Sequence, residues 1–190
     1  MTLAEGKRKV LMLLDEYSSG GTLTTDNDIN NKMADFFDMA QKDVAKVKPI
    51  YKEISYNMTE TGEQMLKLPG DCACVFRIWA DGVLTRRVVQ RGNFLAVPPA
   101  MGETLLVEYR AVPATIGRDT PEDYEFEVCE EAAACMPFYV ASMQLIPDLV
   151  VDYGSFWNIY QNMLAMLDTK EPSSGTSMVH QTLFSGGKRR

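Results

Sequence analysis

The period of the apolar residues changes twice along this chain, and that change limits the fold more than any other feature. From Ile29 to Ile54 apolar side chains recur every three or four positions, at Met33, Phe36/Phe37, Ala40, Val44, Val47 and Tyr51, which is the spacing of a long amphipathic helix. Asp26 or Asp28 supplies its cap, and the helix is expected at least over Asp28–Lys46. Pro49 lies inside the pattern and removes a backbone donor, so a kink or break is predicted near Lys48. From Leu66 the texture becomes strand-like. Cys72 to Trp79 is a strand-like run, Ala80-Asp81-Gly82-Val83 is an Asp-Gly hairpin turn, and Leu84 to Gln90 is expected to pair back. Arg91-Gly92-Asn93 and Pro98-Pro99-Ala100-Met101-Gly102 read as further turns, bounding strands at Phe94–Val97 and Glu103–Val112.

Helical signals flank this stretch on both sides. Thr2 with Glu5 has the spacing of a capping box, opening a first helix with Leu3, Val10, Leu14 and Tyr17 on one face and Ser18-Ser19-Gly20-Gly21 at its end. Thr120-Pro121-Glu122-Asp123 looks like a helix start, with an early proline and acids in the first turn. Glu130 to Leu145 reads as a helix with Pro137 inside it, kinked or split there. A last helix, from about Asp152 to Leu167, carries Phe156, Ile159/Tyr160, Met163 and Leu167 on one face. From Lys170 the composition is that of a linker, and residues 172–190 fully extended reach about 60 Å. The expected fold class is therefore α+β. It is mainly a helical bundle (1–64 and 114–169), with an inserted small antiparallel β-meander domain (65–113) and an extended C-terminal arm (170–190).

Charge narrows the function classes. The 190 residues carry 19 basic and 26 acidic side chains, a net −7, so the whole chain is a poor partner for nucleic acid and any DNA contact must be local. By segment the balance is −3 over 1–64, +2 over 65–120, −9 over 121–171 and +3 over 172–190. Arg77, Arg86, Arg87 and Arg91 form a basic cluster expected at a subunit interface or facing DNA. The acidic stretch offers such a cluster a complementary surface on a neighbouring copy, a head-to-tail arrangement. No run approaches the roughly 20 apolar residues of a membrane span, and no membrane partner is expected. Lys7, Arg8 and Lys9 mimic a signal-peptide n-region, but Val10–Leu14 is too short for the apolar core and Asp15 and Glu16 close it. Synthesis in the cytoplasm is expected, which makes the Asn57-Met58-Thr59 sequon incidental.

Chemistry is poorly signalled. The one histidine, His180, lies in the tail, with no rigid element to pair it with a nucleophile. Asp119/Glu122 and Glu130/Glu131 read as solvated acids rather than a catalytic pair, and Ser19-Gly20-Gly21-Thr22 lacks the lysine of a phosphate loop. Cys72 and Cys74 are expected on one face of a strand, and Cys129 and Cys135 flank a helix start. Their spacings suit zinc badly, and reduced, buried thiols are expected. No enzyme activity and no cofactor or metal is expected. Two rivals are kept: a metal-dependent hydrolase using the four cysteines, and a DNA-binding protein using the four arginines.

The order of parts carries a resemblance. A long amphipathic helix leads to Leu68-Pro69-Gly70-Asp71 and strands, Ala80-Asp81-Gly82 sits in the first hairpin, and Val107-Glu108-Tyr109-Arg110-Ala111-Val112-Pro113 closes the sheet. Thr120-Pro121-Glu122-Asp123-Tyr124-Glu125-Phe126 then precedes a returning helix, and an aromatic-rich helix, Phe156 to Leu167, follows. Over roughly residues 5–168 this resembles the head-to-tail adaptor, or head-completion connector, proteins of tailed bacteriophages. The resemblance implies a structural virion protein of the neck, assembled in the host cytoplasm. It further implies twelve copies ringed beneath the portal, DNA passing through the channel without sequence-specific binding, and tail or neck proteins on the far face. It also implies a C-terminal arm docked on the portal, here Met178, His180, Leu183, Phe184, Lys188, Arg189 and Arg190. A neck or tail-completion protein of similar build is the neighbouring alternative.

Overall fold

The computed structural model describes residues 1–14, 27–58, 62–145 and 154–167. Among them are four helices and seven strands, in the order α1 (Leu3–Leu13), α2 (Asn27–Val47), β1 (Ile50–Asn57), β2 (Gln64–Lys67), β3 (Cys72–Ala80), β4 (Val83–Leu84), β5 (Val89–Arg91), β6 (Phe94–Val97), β7 (Thr104–Ala111), α3 (Glu130–Leu145) and α4 (Gly154–Met166). The strands form two antiparallel sheets, ordered β1-β7-β3-β4 and β2-β6-β5. This overturns the expectation of a mainly helical bundle with a small β insert: the chain is α+β with a sheet-rich core. The expected C-terminal arm, 170–190, lies outside the described residues.

The chain divides into two compact units. One comprises Met1–Ile50 and Val112–Glu171, and the described part of the other is Tyr51–Ala111. In the helical unit α1 opens with the expected capping box: the Thr2 amide donates to Glu5 Oε2 at 2.9 Å, and the Glu5 amide donates to Thr2 Oγ1 at 3.2 Å. Gly6 is required by packing, because a Cβ there would lie 2.9 Å from the Phe37 ring. α3 buries Ala132, Ala133, Met136, Val140 and Ala141 and continues through Pro137 as one helix. Around it, Leu3, Val10, Met33, Phe37, Val44 and Tyr160 complete one apolar core.

The 120–126 segment is not a helix start. Its carbonyls instead meet amides of the first turn of α1, which no helix can satisfy internally. The Leu3 amide donates to Tyr124 O and the Ala4 amide to Glu122 O, each at 2.9 Å, while the buried Lys7 ammonium pairs with the Glu122 carboxylate. Gln41, fully buried on α2, ties down the same connection. It donates to Ala114 O at 3.2 Å and accepts from the Glu127 amide at 2.9 Å, while Asp38 accepts from the Ile116 amide at 3.0 Å.

α2 ends at Val47, its last turn closed by the Lys48 amide donating to Val44 O at 2.8 Å. Tyr51 and Ile54, expected to continue the helical pattern past a kink or break near Lys48, lie instead in β1. Pro49 stops the helical ladder, and the following residues alternate, with Ile54 and Tyr56 packing against the sheet core while Glu53, Ser55 and Asn57 are exposed. The expected single meander is two sheets because the return strand is short. After β4 the Thr85 amide donates to Ile78 O at 2.8 Å and Thr85 Oγ1 accepts from the Arg87 amide at 3.3 Å. Val88 then drops into the core, and the chain begins β5 in the second sheet. Leu105 and Val107 from one sheet and Leu95 and Val97 from the other share that core. No helix among the described residues is long and apolar enough to cross a membrane.

Candidate interaction surface

The register of the three-stranded sheet defines a surface that takes in Arg91 alone of the four-arginine cluster. Gly92-Asn93 is a two-residue loop with Gly92 at φ +59, the left-handed conformation that a type II′ hairpin needs at that position. It places Arg91 opposite Phe94, while pairing with β2 places Lys67 on the other side of Phe94. The next row on the same face is Val89, Ala96 and Met65. Residues directly opposite across strands share a face, so Lys67, Phe94 and Arg91 stand side by side, about 4.8 Å apart from strand to strand. The opposite face carries Leu66, Leu95 and Val97 into the core. On the outer face Met65 and Val89 are each 52% exposed and Phe94 42%. Lys67 and Arg91 are exposed too, and among the described residues neither has an ion-pair partner.

The four arginines separate. Arg77 lies on β3 in the other sheet, partly buried, 3.6 Å from Glu108 and 4.5 Å from the centre of the Phe76 ring. It is engaged within its own sheet. Arg86 and Arg87 are exposed on the connection leading to β5, and Arg91 is on β5 itself. The arm residues Met178, His180, Leu183, Phe184, Lys188, Arg189 and Arg190 lie outside the described residues. Met65, Lys67, Val89 and Phe94 were missed. The Gly-Asn turn would have paired Arg91 with Phe94 from sequence, but Lys67 needs the pairing of β2, which no local signal announces.

The cysteines do not share one environment. Of the four expected to be buried, only Cys135 is; Cys74 and Cys129 are exposed and Cys72 is half-buried. A bulge between Cys72 and Cys74 breaks the alternation that would have put both on one face. Burial, then the nearby Cys74 and Asp71, push the Cys72 thiol up to about 11, leaving it protonated and a weak nucleophile at neutral pH. Among the described residues no three His, Cys, Asp or Glu side chains are grouped as a metal would require.

The second site-like feature is an open groove of about 510 Å³ on the four-stranded sheet, lined by Ser55, Trp79, Gly82, Thr104, Leu105 and Leu106. None of these titrates near neutral pH. Beside it the β3–β4 hairpin turns through Asp81 (φ 46) and Gly82 (φ 78), both left-handed as a type I′ turn demands. The Asp81 carboxylate accepts from the Thr104 amide at 2.8 Å, the Glu103 amide at 3.0 Å and the Thr104 hydroxyl at 3.0 Å. Those bonds hold its carboxyl below the usual carboxylate range and clamp the hairpin to the start of β7.

Compared with protein-family models and with curated proteins, the chain has no match among either.

Proposed function

We propose that this chain is a structural assembly protein, the head-to-tail adaptor of a tailed bacteriophage, which joins a portal to tail components as a ring of identical copies. The observation that carries the assembly reading is the outer face of the β2-β6-β5 sheet, where Met65, Val89 and Phe94 remain exposed beside Lys67 and Arg91, which have no ion-pair partner among the described residues. The exposed face of a water-facing sheet is ordinarily polar, and contiguous apolar residues there mark contact with a partner. The blocks of opposite charge along the chain, −9 over 121–171 and +3 over 172–190, fit a molecule that meets several neighbours. The adaptor identity adds the order of parts described above, and it assigns the C-terminal arm, Ser173 to Arg190, to the portal. Each arm contact is weak alone, and repetition around a ring supplies avidity.

The arm assignment is tested by truncation after Leu167 and measurement of binding to the cognate portal. Truncation abolishes portal binding while the thermal unfolding midpoint stays within about 2 °C of the full chain, because every described core residue is retained. Undiminished portal binding by the truncated chain refutes the assignment.

A further inference from the structure

We infer that the outer face of the three-stranded sheet is one half of a head-to-tail contact between copies of this chain, and that its other half is the exposed acidic surface at residues 123–131 of the next copy. The inference deepens the assembly reading and rests on it. Three large apolar side chains, Met65, Val89 and Phe94, form the middle of the face, and Lys67 and Arg91 flank Phe94 about 10 Å apart. Several described cations of this chain pair at home: Lys7 with Glu122, Lys42 with Asp38, Lys52 with Asp71 and Arg77 with Glu108. Among the described residues Lys67 and Arg91 have no ion-pair partner, and neither do the exposed Arg86 and Arg87 that lead into β5.

An acidic occupant is therefore called for, and the chain carries one. Asp123, Glu125, Glu130 and Glu131 are exposed in the helical unit, within the stretch whose charge is −9. Nucleic acid fits less well. The face presents three apolar residues to two cations on a chain of net −7, whereas phosphate backbones select dense basic surfaces. Because the two surfaces are different patches of one molecule, the contact is heterologous. Repetition of such a contact closes a ring or propagates a filament.

Charge exchange tests this on the full-length protein, with mass followed by light scattering against concentration and salt and folding checked by circular dichroism. Wild type is expected to self-associate, less so at high salt. K67E/R91E and E130K/E131K should each weaken association at least about tenfold. An equimolar mixture of the two variants should restore it, because each sheet face can then meet a 123–131 surface of opposite charge. D123K/E125K serves in place of E130K/E131K if reversal at the start of α3 impairs folding. Phe94→Ser should weaken association without rescue by the acidic-surface variants. A monomeric wild type, association unaffected by the reversals, or a mixture that fails to recover each overturns the inference. So does salt-sensitive binding of labelled single-stranded DNA that K67E/R91E abolishes while self-association persists. Portal binding by the wild type separates the two claims: portal binding with failed charge exchange removes this contact alone, and a wild type that neither self-associates nor binds portal removes the assembly reading as well.

Discussion

Single side chains fix the sharpest local geometry, and the clearest case is the Asp81 carboxylate over the start of β7. Gly102, at φ 103, has no room for a Cβ because Asp81 occupies that space. Gly102→Ala combines left-handed strain with that clash and should cost about 1–3 kcal/mol, read by denaturant unfolding. Asp81 sets a pH dependence of known sign. Its folded carboxyl is held below the ordinary value of 3.8, so the stability it confers is present above that value and is lost as pH falls through the depressed one. Asp81→Ala should remove that acid-side component of the stability curve. In the helical unit the buried Tyr160 hydroxyl donates to Asp43 Oδ2 at 2.7 Å, and burial followed by that bond raises its ionisation above the ordinary 10.0. The stabilisation is complete below pH 10, where the phenol is protonated in both states. It declines as pH rises further, because only the unfolded chain ionises readily. Tyr160→Phe should lower stability at neutral pH by about 1–2 kcal/mol and flatten the alkaline decline.

At the scale of elements, what could be read from sequence was what is specified locally. Thr2 and Glu5 are three residues apart and cap α1 as expected, and Asp81-Gly82 turns the β3–β4 hairpin. Pro49 ends α2 where a missing donor must. The elements that were misread are decided by partners distant in sequence. Tyr51 and Ile54 continue the three-and-four spacing of α2, yet β1 pairs with β7, some fifty residues later, and that ladder outweighs the local pattern. Pro121 with its acids has the composition of a helix start, but the carbonyls of Glu122 and Tyr124 are held by α1. The interaction face was half legible: Arg91 was singled out, whereas Lys67 and Phe94 join it only through the register of β2 and β6. Gln41 shows how the long connection is held, since it bridges Ala114 and Glu127 from a fully buried position. Gln41→Ala leaves both partners unsatisfied and should destabilise by about 2–4 kcal/mol, with faster amide exchange over residues 114–127.

In the proposed assembly role the whole molecule works through its contact surfaces. Its helical unit is built around an apolar core, and its β unit leaves an apolar and basic face exposed. A large-to-small change inside separates folding from assembly. Phe37→Ala should cost about 3–5 kcal/mol and reduce every activity together. Phe94→Ser should leave the unfolding midpoint nearly unchanged and affect association alone. The most direct test of the adaptor reading is the mass of the full-length protein, alone and mixed with its cognate portal, by light scattering. The account expects one large complex in which a ring of copies, twelve by the resemblance, joins the portal. Protein that stays monomeric and ignores the portal at every salt concentration contradicts it.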